Sequence, residues 1–202
     1  MKILRKLSLA IAVAVSGLNT LQAQTTSIGP LLGVNVSTFT GEPNTKPLAG
    51  IAVGGFINHS IDEHFGVNAK LIYSQMGSSY TYNDDINRLH YVQFPVTGVY
   101  YFGKNGQNFR PKVYAGLYAG SLLSANHKSG DVVVETNGNP YYKKADFGGI
   151  LGLGFNYLLS PRTWLNVDAG YNGGFLDVTT SEATDFKNKG FALNVGISFP
   201  IK

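Results

Sequence analysis

Cysteine is absent from this chain of 202 residues, which excludes disulfides, thiolate nucleophiles and cysteine-bound metals. Charge is scarce as well, at 14% of residues, where a soluble domain ordinarily carries about 25%. Long apolar runs are missing: after an initial short one, no segment supplies the ~20 consecutive apolar residues that a membrane-spanning helix needs. The Lys and Arg residues scatter along the chain without forming a basic stripe, so a nucleic-acid partner is set aside. What the chain has in excess is glycine and aromatics, with 25 Gly, 12 Tyr and 12 Phe.

The N-terminus reads as an export signal. Lys2, Arg5 and Lys6 form a positive region ahead of the apolar run 7–15, and a polar stretch ending in Ala23 follows. Cleavage after Ala23 is expected, giving a signal peptide over 1–23 and one domain over 24–202. Three of the 16 Lys and Arg leave with the leader, so the net charge falls from +4 to +1. The basic pI is therefore a property of the precursor.

Beyond the leader, apolar residues alternate with small or polar ones in eight segments of about ten residues. The first carries Ile28, Leu32, Val34 and Val36, the third Phe65, Val67, Ala69, Leu71 and Tyr73, and the last Phe191, Leu193, Val195, Ile197 and Phe199. The fourth runs Val92, Phe94, Val96, Tyr100 and Phe102, the fifth Val113, Ala115, Leu117 and Ala119, and the sixth Phe147, Leu151, Leu153, Phe155 and Tyr157. The weak second segment (Ile51, Val53, Ile57) is interrupted by Gly50, Gly54 and Gly55, and the seventh holds Leu165, Val167, Ala169 and Tyr171.

No charge falls on any apolar face. The other face is rich in Gly and Asn, among them Asn35, Asn68, Asn166 and Asn194, with Lys70 and Asp168 as its two mid-strand charges. A soluble barrel turns its apolar face inward and carries charge outside, whereas here the pattern suits an apolar wall against lipid around a narrow polar lumen. The connections support this, because 38–46, 77–88, 121–145 and 177–190 are long while 58–64, 103–108 and 160–162 are short. Such sorting by side is the habit of outer-membrane barrels, with long loops outside and short turns in the periplasm. The fold expected is all-β: an eight-stranded antiparallel transmembrane β-barrel of up-and-down meander type, in the outer membrane. Pro95, inside the fourth strand, predicts a bulge or register break. Lys70 and Asp168, on opposite strands with inward parity, are placed either to meet across the lumen and plug it or to be hydrated separately in a wet lumen.

Five stretches carry a family resemblance: GVNVSTFTG (33–41), HYVQFPVTGVYYF (90–102), AGLYAGSLLSA (115–125), DFGGILGLGF (146–155) and GFALNVGISF (190–199). In this order they resemble the PorT-like outer-membrane β-barrel family over nearly the whole mature chain. The resemblance implies an eight-stranded outer-membrane barrel and little about activity.

Candidate chemistry is thin. A lipid-modifying site would need a His, a Ser and a carboxylate near the outer leaflet. Of His59, His64, His90 and His127, His90 is placed for it, with Ser74, Ser78, Ser79 or Ser124 nearby; an interfacial girdle histidine is the simpler reading. Asn83, Asp84 and Asp85, and separately Asp177, Glu182 and Asp185, offer oxygen ligands without calcium-loop spacing and read as solvated loop. Gly149, Gly152 and Gly154 precede no helix, so they form no phosphate cradle and read instead as seats for neighbouring side chains. No catalytic, cofactor-binding or metal residues are assigned, and no cofactor is expected. The function expected is that of a non-enzymatic outer-membrane barrel acting through its extracellular loops or within an envelope complex. A small-solute pore is the first alternative and a lipid-modifying enzyme the second. Its partners are outer-membrane lipid and, through the long loop 121–145 with Tyr141, Tyr142, Lys143 and Lys144, other envelope proteins.

Overall fold

A computed structural model describes residues 25–41, 44–82, 85–104, 106–129, 132–136, 141–180 and 185–201. The expected leader, together with Asn83, Asp84 and Glu182, lies outside the described residues. The strands are β1 (Thr26–Thr40), β2 (Thr45–Ser60), β3 (Phe65–Tyr80), β4 (Ile86–Tyr101), β5 (Phe109–Ser129), β6 (Val132–Thr136), β7 (Ala145–Ser160), β8 (Thr163–Gly174) and β9 (Lys187–Ile201). All pair antiparallel. β1 bonds to β2 on one side and to β9 on the other, and β4 pairs with β5, so eight strands close into a barrel without a free edge. Closure matters because an open edge cannot satisfy its backbone groups in hydrocarbon. β6 stands outside the ring as a short addition to β5, pairing Ala125↔Thr136 to Ser129↔Val132.

The expected faces are found. Leu32, Leu151, Leu153 and Phe191 are each more than 60% exposed, and the rest of the apolar alternation points the same way. Aromatic pairs stand at both rims of this wall: Phe65, Tyr100 and Phe102 pack edge to face at one end, Tyr171 with Phe191 and Phe147 with Phe175 at the other. An apolar band between two aromatic rims is the surface that a bilayer requires.

Three expectations need correction. The loops are shorter than the polarity of the sequence implied, because β1, β3, β4 and β5 continue their ladders through residues placed in loops. Main-chain pairing is indifferent to whether a side chain is polar, so strands persist past the apolar band. The connections 41–44 and 61–64 are consequently equal in length, and the contrast between the two ends survives mainly in 130–144 and 175–186 against 161–162. Second, Pro95 breaks no register. The β3–β4 ladder has a gap opposite Phe94 and Pro95, where a donor is missing, yet resumes unshifted between Ala69↔Val96 and Ile72↔Gln93. The irregularities lie at His90/Tyr91 in β4–β5, between Pro47 and Ala52 in β2–β3, and between Leu158 and Ser160 in β7–β8. Third, the lumen is not simply polar. Leu31, Ala52, Phe56 and Ile72 form one buried apolar cluster in it, and Val99, Tyr101 and Tyr114 another.

Candidate functional site

With the wall committed to lipid, any chemistry must sit in the lumen or at the two ends. The lumen is filled in layers. Its middle is an ion triad: Lys70 on β3 lies 2.8 Å from Asp168 Oδ2, as parity allowed, and Lys112 on β5 lies 2.6 Å from Asp168 Oδ1. Lys70 also stands over the Tyr114 ring at 5.7 Å. Lys112 lies past the short turn 103–108 but ahead of the apolar alternation that starts at Val113, so it is absent from the lumen charges read from the sequence. Its inward parity follows from Tyr114 and Tyr118 once the strand is extended back.

Two tyrosines cross the lumen over a glycine track. Gly152 and Gly170 are cross-strand partners, and a Cβ at either would come within 2.5 Å of Tyr114. Gly148 lies against Tyr118 in the same way, with a Cβ 2.5 Å from the ring. DFGGILGLGF is therefore a seat for tyrosines, as expected of these glycines. Towards the loop end Asp146, also unforeseen, accepts hydrogen bonds from Tyr118 Oη at 3.2 Å and Asn188 Nδ2 at 3.0 Å, and Asn188 Nδ2 also bonds Tyr91 Oη. Between this layer and the triad lies a cavity of only about 40 Å³.

Above Asp146 the mouth is closed by an apolar plug. Val178, from the segment 175–186, is fully buried among Phe39, Met76, Leu89, Tyr91 and Ala125, with Tyr142 and Phe186 packed against them. One carboxylate holds this segment in place. Asp177 Oδ1 accepts the Thr179 and Phe186 N–H groups, each at 3.0 Å, and Oδ2 pairs with Lys143 at 2.5 Å. Lys143 N–H in turn donates to the Val178 carbonyl, and Thr180 N–H to that of Tyr141. Asp177 is thus occupied as a staple, neither calcium ligand nor idle loop residue, and Asp185 pairs with Lys187 at 2.9 Å.

Burial pushes the Asp177 carboxyl up, but the hydrogen bonds from Lys143, Thr179 and Phe186 outweigh it and bring the pKa to about 2. A folded-state pKa below the ordinary 3.8 means that docking is supported above about pH 4 and fades as the pH falls towards 2. The absence of cysteine makes this easy to follow. In Val178→Cys the thiol should react slowly with a maleimide, and adding Asp177→Ala should speed labelling at least tenfold at neutral pH; equal rates would mean that Asp177 does not hold the plug.

The histidine proposed for lipid chemistry has other company. His90 Nδ1 lies 2.6 Å from Tyr73 Oη, with the rings 5.9 Å apart, on the outer face near the loop-end rim. Ser74 and Ser78 are buried in the lumen, across the wall from it, and Ser74 Oγ accepts from Asn35 Nδ2. Ser124 is the cross-strand partner of His90, and Tyr73 Oη addresses the ring at Nδ1. Among the described residues no three His, Asp or Glu gather as a metal site.

At the opposite end, where β1 starts and β9 ends, the lumen opens as a vestibule of about 440 Å³ lined by Arg110, Tyr101, Trp164, Asn58 and Asn156 among others. Arg110, like Lys112, precedes the alternation that starts at Val113.

Residues 22–180 match a family described as "Outer membrane protein beta-barrel domain". No curated protein matches the chain. Among solved structures it is similar to the outer membrane protein OprG from Pseudomonas aeruginosa, with TM-score 0.59, 13% identity, and 89% of this chain and 96% of that one covered. Neisserial surface protein A aligns with TM-score 0.55 and 12% identity over 88% of this chain and all of that one. A major outer membrane protein from Thermus thermophilus gives 0.51 and 13%, over 89% and 100%. At these identities the likeness is one of fold.

Proposed function

Because this chain belongs to the family of outer membrane protein beta-barrel domains, we propose that it is a non-enzymatic barrel that works through its two ends, the loop end outside the cell and the end where β1 starts and β9 ends in the periplasm. It is a small eight-stranded barrel of the outer membrane. Within that family the five stretches quoted above favour the PorT-like group, and the leader 1–23 would be removed on export.

The observation that carries this reading is the filled lumen. The Val178 plug, the Asp146 layer and the ion triad follow one another down the barrel, so the described side chains fill its cross-section at three levels. A passage for solutes is disfavoured for that reason, and lipid modification is disfavoured because Ser74 and Ser78 lie in the lumen, across the wall from His90. Contact with partners falls to the loop end, where Tyr82 and Tyr141 are 83% and 72% exposed. Exposed aromatics of this kind are suited to anchoring a partner.

Single cysteines in this cysteine-free chain test both orientation and contact. On intact cells, cysteines at Asn44, Tyr82 and Tyr141 should take an impermeant maleimide and one at Lys104 should not. A photoactivatable maleimide on the Tyr141 cysteine should then capture discrete envelope or surface partners. Labelling at Lys104 alone would invert the topology. Correct labelling without adducts, joined to a lipid A mass change on loss of the gene, would favour the enzyme.

A further inference from the structure

The vestibule is a blind pocket. Its floor is a chain of amides: Asn68 donates to Asn58, Asn58 Nδ2 to Asn166 Oδ1 at 3.2 Å, and Asn166 Nδ2 to Ser198 Oγ at 2.9 Å. The ion triad lies beyond this floor. At about 440 Å³ the space falls within the ~300–1,000 Å³ of ligand pockets, and it opens only at the end where β1 starts and β9 ends.

Two features of its wall are unusual for a structural lumen. The first is Trp164, the sole tryptophan, which shares the inward parity of Asn166 and Asp168 and lines the vestibule. In a membrane barrel an indole ordinarily faces out, at the lipid–water boundary. The second is Arg110, only 9% exposed. Its guanidinium lies 4.6 Å from the Tyr101 ring, and Nη2 donates to the Glu63 carbonyl. Its Nε is buried without a hydrogen-bond partner among the described residues, whereas Lys70 and Lys112 share Asp168. The Glu63 charge acts on the guanidinium from nearby but does not fill this donor. A largely buried cation with a spare donor, seated over an aromatic ring, is arranged for a carboxylate, which the planar guanidinium binds in bidentate fashion. Asn156, the cross-strand partner of Arg110, holds a buried amide oxygen without a hydrogen-bond partner among the described residues, an acceptor for a main-chain N–H.

We propose that this vestibule binds the carboxyl-terminal end of a peptide chain, with its terminal carboxylate on Arg110 and its last side chain against Trp164 and Tyr101. That the ligand comes from the periplasm rests on the orientation proposed above, whereas binding is a property of the purified chain. The two therefore fail separately.

Trp164 reports on its own site. The whole chain in detergent is titrated with N-acetyl-Ala-Phe, its C-terminal amide, acetate and inorganic phosphate, following tryptophan emission and, in parallel, heat by calorimetry. The free acid should bind saturably, with the amide and acetate each at least tenfold weaker. Arg110→Gln should lose at least tenfold in affinity while keeping the heat-dependent gel shift of a folded barrel, and Lys128→Ala, exposed at the far end, should change nothing. Equal binding of acid and amide would overturn the proposal, as would phosphate binding as tightly as the peptide, or no saturable signal by either method.

Discussion

Asp168→Leu is expected to be the most damaging single substitution in the lumen. Its carboxylate neutralises two lysines, Lys70 at 2.8 Å and Lys112 at 2.6 Å, all three side chains being nearly sealed from solvent. Removing one member of a buried ion cluster costs about 3 to 5 kcal/mol, because an uncompensated charge remains in a medium of low polarity. Here two charges are orphaned at once. Lys70→Met or Lys112→Met should each cost clearly less, since Asp168 keeps one cation. The asymmetry changes the design of the test. The pair Lys70→Met with Asp168→Leu, which parity alone suggests as a closed cycle, still leaves Lys112 stranded and should recover little. Only the triple variant with Lys112→Met should return close to the wild type, as replacing a whole buried cluster with apolar groups of similar size often does. Urea unfolding in detergent reads the five variants against the wild type. Strictly additive losses, or equal losses for Asp168→Leu and Lys70→Met, would show that the three groups do not act as a unit.

Gly152→Val should be the next most costly. The added Cβ would meet Tyr114 Cζ at 2.3 Å and the Ala169 carbonyl oxygen at 2.6 Å, so both a ring and a neighbouring strand must yield. Overpacking of this kind costs about 1 to 3 kcal/mol. The temperature at which the folded band converts to the unfolded one on a gel should fall accordingly. Adding Tyr114→Ala should recover only part of the loss, because the contact with the Ala169 carbonyl persists. An unchanged conversion temperature in Gly152→Val would mean that the glycine is not a seat.

The wall of this barrel was legible in the sequence because lipid enforces a strict period of two. Leu151, Leu153 and Phe191 must all face outward, and a slip by one residue would put Asn and Asp into hydrocarbon. The Lys70–Asp168 pair was legible for the same reason, since parity and strand order are sufficient to set two residues opposite each other. Lys112 and Arg110 were not, because Pro111 stands between them where an outward apolar residue would mark the period, leaving Phe109 isolated from the alternation that starts at Val113. Asp146 was hidden likewise, at the beginning of β7. The plug was beyond reach altogether. Val178 lies in a segment without periodicity, and its burial depends on Asp177 meeting Lys143, 34 residues away. Pro95 misled in the other direction: a missing donor removes one rung of a ladder, and in a closed barrel the neighbouring rungs hold the register.

The most direct test of a barrel sealed by its own side chains is conductance across a planar bilayer. The wild-type protein, shown to be folded by its heat-dependent gel shift, should insert without steady current, because Val178 closes the mouth and the triad spans the middle. A stable, ohmic conductance from the wild type would contradict the account, since it requires a continuous water path through levels that the described side chains fill.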